Sequence, residues 1–515
     1  MRVYTLPSAH ASYSDSDSDS ASSGSISPPP SPVNGIQTFH HRSPIPQPFT
    51  RAQLAAQPPK GAITLDQIAE WEEERRKDPV ARLAQTLLSG TSMGIVLVGR
   101  EAEREDQMIF NHKVEMKGLP VADQKASGRC WLFAACNVLR VFIARKHKVD
   151  DFQLSQSYLH FWDHYSKAEY FLQQMLDLIE EPLQSRTMQK LMKDSVQDGG
   201  DYDLACSLIQ RFGIVPRSVY PESFNSSNSA QIDTFLTSKL REFTLELRVE
   251  YGKAIIRGVG KRKALEAARQ VVPGMMREIY RCIAVTLGTP PNPATVFHWS
   301  FNTTTKSTTT LTRTPLSLLA LDVTPYYNLS QTLALMHDPR EDRAMHAVFE
   351  VDKGRGMTGG RRIRYLNVEL EEMKKVAVAL IKAGIPIWFA CDVDKASNAS
   401  EGIMDLKLYN YADAFGTALD LTKAHRLATG DGEPTHAMVL TAVHVDPDTG
   451  KTVRWQVENS WGPDACNKGF WCMTDEWFDE HVYQIGAPRP FIPAQLLDIY
   501  DHSQAEMIPV WDPMA

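Results

Sequence analysis

The segment Gln124-Lys-Ala-Ser-Gly-Arg-Cys130 runs straight into a helix-periodic stretch, in which Leu132, Ala135, Cys136, Leu139 and Ile143 recur along one face. The pattern fixes a thiol at a helix N-terminus, behind a small-residue turn and six residues after a glutamine. The positive end of a helix macrodipole favours thiolate, the nucleophilic form of cysteine. The Gln124 side-chain amide and the backbone N–H of Cys130 form a donor pair suited to a developing oxyanion. A cysteine opening a helix is often only a small buried hydrophobe. Chemistry at Cys130 therefore requires partners elsewhere in the chain.

Those partners lie far downstream. Residues from Thr435 and His436 to Asp446 read as a strand, Pro447-Asp-Thr-Gly450 as a turn, and Lys451 to Asn459 as the returning strand. Pairing Asp446 with Lys451 sets Met438 opposite Asn459 and His436 opposite Trp461. His436 and Asn459 then fall within one diagonal neighbour of each other. A thiol nucleophile needs this combination: the imidazole takes the thiol proton, and a neutral amide fixes its tautomer without neutralising the imidazolium. Asn459-Ser-Trp-Gly462 adds the Trp461 indole as a cover that keeps water off the Asn–His contact.

Gln124, Gly128-Arg-Cys130-Trp131, His436 and Asn459-Ser-Trp-Gly462 resemble the papain superfamily of cysteine peptidases. Asp198-Gly-Gly-Asp-Tyr-Asp203, Gly213 to Ser223, His436 to Thr441, Met473 to Asp479 and Trp511-Asp-Pro-Met514 are similar to its bleomycin hydrolase (aminopeptidase C) branch. The likeness runs from about Ile63 onward. Papain-like enzymes place the histidine roughly 130–150 residues after the cysteine; here the separation is about twice that. The resemblance implies an α+β, papain-like fold, a helical subdomain plus a β-barrel-like one, with large helical insertions.

The same resemblance implies a thiol aminopeptidase with Cys130, His436 and Asn459 as catalytic groups, Gln124 at the oxyanion and Trp461 in support. It further implies peptide substrates, a homohexamer, and hydrolysis of bleomycin and homocysteine thiolactone as side activities. In this family the terminal residues, here about 500–515, enter the active-site cleft, block long chains and offer a carboxylate to the substrate's ammonium. This chain stops at Ala515, a few small residues before the usual pattern does. Ala515 is therefore expected to end farther from Cys130, which shifts the cleavage register or weakens aminopeptidase activity.

Composition agrees with an enzyme. The chain has 515 residues, an ordinary apolar fraction of 43% and a formal charge of -7. Seven cysteines without paired spacing argue against a disulfide framework and for a reducing, cytoplasmic setting. No run suits a membrane span, and the N-terminus lacks a signal pattern. Residues 1–60, with Ser14-Asp-Ser-Asp-Ser-Asp-Ser20 and several Ser-Pro pairs, read as a disordered extension; residues 61–515 form the peptidase domain. Thr64 is placed to cap the first helix.

Helix patterns cover Gln153–Leu178, Gln184–Lys193, Asp233–Arg241 and Lys261–Thr286, the last interrupted by Pro273-Gly274. Val368–Ala383 follows, with Asn367 as its cap and Gly384 as its stop, and Ile385–Asp392 reads as a buried strand. Asp198, Gly199 and Gly200 read either as the cleft wall that pairs with substrate backbone or as a tight turn requiring positive φ.

His160 and His164, with Asp163 between them, have metal-compatible spacing but no evident third ligand, so neither metal nor cofactor is expected. Basic stretches Arg257–Lys263 and Arg361–Arg364 allow weak nucleic-acid binding but lack interleaved aromatics. A nucleic-acid-binding or scaffolding oligomer with secondary peptidase activity is the alternative reading. Cys–His acyltransferases usually orient histidine with aspartate, and Asn459 disfavours them.

Overall fold

The computed structural model describes residues 61–105, 108–116 and 118–515. The low-complexity stretch 1–60 lies outside the described residues. Two compact units result, one ending at Gly90 and one spanning Thr91–Ala515. In the first, Thr64 and Gln67 form a capping box for helix Leu65–Lys77, and Asp78 caps Pro79–Leu88 with proline in its first turn.

The second unit is organised around a mixed twelve-stranded sheet. Strand His436–Val445 lies between Ile387–Cys391 and Thr452–Glu458, all antiparallel. Beyond Ile387–Cys391 come Val482–Pro488, Thr332–Met336, Arg364–Asn367, Val348–Val351 and Glu506–Ile508. Beyond Thr452–Glu458 come Phe470–Thr474, Ile403–Met404 and Ser397–Asn398.

Strand periodicity explains how this sheet is buried. Ala437, Val439, Trp388 and Ala390 pack into the core around the Cys130 helix. Their neighbours Met438, Leu440, Ile387 and Phe389 pack on the other face with Met373, Val376, Ala377 and Leu380. Alternate side chains point to opposite faces, and a sheet covered on both sides reads as a continuous apolar run. A third core joins the helix Gln156–Asp177 to Ala230–Ile256, Lys261–Arg269 and Val272–Leu287.

Several local expectations are adjusted. The helix expected over Asp233–Arg241 extends over Ala230–Ile256. The Pro273 interruption is a break between two helices, with Pro273 in the first turn of the second, where a missing N–H costs nothing. Glu369, not Asn367, caps Leu370–Lys382. The Asn367 amide instead donates to the carbonyls of Asp338, Arg343 and Ala344. No helix among the described residues is long and apolar enough to cross a membrane.

One buried ion pair ties this framework to the site. Arg140, on the Cys130 helix, pairs with Glu458, the residue before Asn459, and both are fully buried. Asn137 also donates to Glu458, at 3.2 Å. Removing one partner strands a buried charge, so Arg140→Met is expected to cost about 3–5 kcal/mol. The urea midpoint measures this; a loss below about 1 kcal/mol would contradict it.

Candidate active site

Helix Cys130–His147 begins after Arg129, whose backbone leaves the helical region and whose side chain makes no cap bond. The helix is buried from Cys130 to Ala144, so its first turn is delivered into the interior, where the Leu132 and Phe133 N–H groups donate to Arg129 O at 2.9 and 3.1 Å. The buried Arg129 guanidinium is held by Glu222 at 2.9 Å and donates to Ser127 at 2.9 Å. Burial pushes the Cys130 thiol up to about 11, against the opposing pull of backbone N–H groups that include that of Ala437. Desolvation thus opposes the thiolate that a helix start favours.

The strand that begins at His436 and the strand that ends at Glu458, one residue before Asn459, pair in the expected overall register. Val439 faces Glu458, and Asp446 donates its N–H to Lys451 O at 2.8 Å. Two irregularities, at Leu440/Ala442 and His444/Val445, shift the pairing by one and then restore it. His436 Nε2 lies 2.9 Å from Asn459 Oδ1, which also accepts the Ser460 N–H at 2.7 Å. Nε2 is thus committed to the amide, and Nδ1 is the ring's second nitrogen. Trp461 lies against the imidazole, with ring centroids 5.1 Å apart and planes at 38°. Burial holds His436 down to about 4, partly offset by the Asn459 bond.

Gln124 reaches this pair through backbone. Its N–H donates to Ser460 O at 2.8 Å, Asp123 bridges Trp461, and the Gly462 N–H donates to Ala122 O at 3.1 Å. Gly462 sits at φ +88, and a Cβ there would lie 2.8 Å from the Asp123 carboxylate, so no other residue closes this turn without strain. The Gln124 side chain is gripped at both ends: Oε1 accepts from Ser460 Oγ at 2.6 Å, and Nε2 donates to Ser127 O at 2.6 Å.

A cavity of about 720 Å³ is lined by Cys130, Gly199, Gly200, His436, Met514 and Ala515, among others. The positive-φ reading of the glycine turn is corrected: neither Gly199 nor Gly200 has positive φ. Gly200 is required by close approach, since a Cβ there would fall 2.5 Å from the Trp131 ring. The Asp198 carboxylate takes hydrogen bonds from within the protein, from Gly128 N at 2.7 Å, His160 Nε2 at 2.9 Å and Ser229 Oγ. Lys167, which no local pattern marked, donates to Asp163 and to the carbonyls of Gln197 and Gly199, fixing the glycine wall.

The C-terminal segment is anchored before it reaches the cavity. Asp512 is held by Arg340 and Arg343, at 2.7 and 2.8 Å, and Met514 is buried in the Cys130-helix core. Trp511 lies under the Arg186 guanidinium.

A thiol at a helix start and an amide-tethered imidazole lining one cavity are the parts of a cysteine peptidase. The Peptidase C1-like family model matches residues 62–515. The chain belongs to that family. It is a peptidase of the cysteine type. Human bleomycin hydrolase is 33% identical over 457 residues, covering 88% of this chain and 98% of that protein. Aminopeptidase C of Lactobacillus delbrueckii subsp. lactis is 32% identical over 463 residues, with the same coverages. The crystal structure of PepW from Lactobacillus rhamnosis superposes with a TM-score of 0.82 at 33% identity, covering 88% of this chain and 99% of its own.

Other features of this Peptidase C1-like chain resolve around that site. None of the seven cysteines forms a disulfide. His160 and His164 gain the neighbours that the sequence did not reveal: with Asp198 and Asp233 they offer four ligand atoms within 4.8 Å of one another. Asp163 instead bonds Lys167. The closest pairs, His160–Asp198 at 2.9 Å and His164–Asp233 at 2.7 Å, are hydrogen bonds. They are tighter than the edge of about 3.3 Å that tetrahedral zinc bonds of 2.0–2.1 Å impose.

The basic stretches are largely matched by acids. Arg361 pairs with Asp203, Arg362 and Arg364 pair with Glu350, Lys261 with Glu180, and Arg262 with Glu266.

Proposed function

We propose that this chain is a cysteine aminopeptidase that removes N-terminal residues from peptides through a Cys130–His436–Asn459 acyl-enzyme mechanism. The observation that carries the reading is the commitment of His436 Nε2 to Asn459 beside a cavity that Cys130 also lines. Burial keeps thiol and imidazole neutral at rest. Passing the thiol proton to His436 creates two adjacent opposite charges, each stabilising the other. The Cys130 sulfur attacks the carbonyl of the peptide's first residue, and the oxyanion is received by the Gln124 amide and the Cys130 N–H. His436 then protonates the leaving amine as the C–N bond breaks. Water, deprotonated by His436, attacks the thioester and releases the acid. Asn459 orients the imidazole throughout, and Trp461 shields that contact.

Exopeptidase character is supported by Met514 and Ala515 on the cavity wall and by relatives named aminopeptidase C. With the reading go a papain-like division into a helical half and a sheet half, a homohexamer, and a cytoplasmic site of action. Weak nucleic-acid binding is the lesser part, because the basic stretches face carboxylates. The test compares aminoacyl-coumarin substrates with free and acetylated N-termini. Free-amine substrate is expected to be cleaved at least about 100-fold better. Equal cleavage of both would exclude an aminopeptidase.

A further inference from the structure

We infer that Asp198 is a positioning residue for Gln124, acting through the Ser127–Gly128 peptide group. Asp198 Oδ2 accepts the Gly128 N–H at 2.7 Å, and the Ser127 carbonyl accepts Gln124 Nε2 at 2.6 Å. That N–H and that C=O belong to one planar peptide unit, so aiming the first aims the second. Gln124 Nε2 carries two N–H bonds. With one spent on Ser127 and Oε1 held by Ser460, the amide plane is set, and with it the direction of the remaining N–H. A bond from an amide to a carboxylate is charge-assisted and polarises the peptide, which strengthens its carbonyl as an acceptor.

The surroundings of Asp198 fit this task. A Cβ on Gly128 would come within 2.9 Å of the Asp198 Cβ, so the close approach depends on glycine. The Asp198 carbonyl accepts the Trp131 indole N–H at 2.5 Å, tying the same residue to the start of the Cys130 helix. His160 and Ser229 donate to the carboxylate, and His164 stands behind it, bonded to Asp233. Burial works against the charge on Asp198, but His160, His164 and Ser229 outweigh it and hold the carboxyl below its ordinary range.

The inference rests on the reading of Cys130 as nucleophile and Gln124 as oxyanion donor. Its test separates oxyanion chemistry from simple thiol reactivity in the full chain. Turnover of a free-amine aminoacyl-coumarin needs the oxyanion donors, whereas alkylation of Cys130 by iodoacetamide does not. Asp198→Leu is expected to lower kcat about 50-fold, with KM and the alkylation rate each within about threefold of wild type. Asp198→Asn, similar in volume but retaining an acceptor, is expected to recover at least about tenfold of that loss.

If Asp198→Leu does not fold, Ser229→Ala provides the same comparison, with an expected kcat loss of about fivefold at unchanged alkylation. Unchanged kcat would overturn the inference. So would a parallel fall in turnover and alkylation without rescue by Asn, which marks a structural role. Retained turnover in Cys130→Ala would instead overturn the underlying reading, whatever Asp198 does.

Discussion

Cys130→Ala is expected to lower kcat/KM on free-amine substrates by about a hundred-thousand-fold, and His436→Ala by a comparable factor. The thiol and imidazole act as a unit: neither carries the charge it needs in a buried site unless the other takes the opposite one. The double variant should therefore lose little more than either single one, because each substitution already removes the whole nucleophile. Gln124 and the cavity remain, so a small residual rate is expected from binding and oxyanion stabilisation alone. Alanine at Cys130 removes only a sulfur atom from the start of an otherwise intact buried helix, so the thermal midpoint should move by no more than a few degrees. Additive losses in the double variant, or a drop of less than about a thousandfold in either single one, would mean that another group performs the attack.

Deleting residues 513–515 is expected to open the cleft to blocked peptides. Acetylated substrates should gain about 100-fold in kcat/KM, while free-amine substrates lose about tenfold. Met514 and Ala515 line the cavity that holds Cys130 and His436, and the segment is fixed from behind by the Arg340–Asp512–Arg343 clamp. The clamp supplies rigidity: Asp512 also accepts the backbone N–H groups of Met514 and Ala515, through a carboxylate oxygen and its carbonyl, each at 2.9 Å. On the proposed reading, a wall held this way excludes chain on one side of the scissile bond, and removing it is expected to delete the repulsive element of specificity rather than the chemistry. Unaltered discrimination between free and blocked substrates after the deletion would show that the segment does not gate the cleft. A full loss of both activities with the protein still folded would show that it belongs to the catalytic geometry.

Much of this site was legible along the chain because its signals are local. Helical periodicity after Cys130 located the buried helix, and alternation around the Pro447–Gly450 turn located the strands bearing His436 and Asn459. The overall register followed from the turn, since a period of two leaves little freedom once one pair is set. Thr64 and Gly384 acted as the cap and stop that their chemistry suggests. Asn367 did not, because its amide satisfies three carbonyls of residues 338–344, a demand no local pattern reveals.

Asp198 shows the limit most directly. Beside two glycines it read either as cleft wall or as a tight turn, and no local pattern showed that its carboxylate is taken by residues 128, 160 and 229. The same holds for Arg140 with Glu458 and for Asp512 with Arg340, partners more than 150 residues apart. The sequence by itself located the Cys130 helix and the strand pair around the Pro447–Gly450 turn, and carried the resemblance to the family to which the chain belongs. Only the tertiary structure decided which buried charges meet, and that the strand Glu506–Ile508 joins the sheet beside Val348–Val351. Local backbone preference and side-chain period are properties of neighbouring residues, whereas the pairing of a buried charge depends on whichever distant group the packed fold delivers to it.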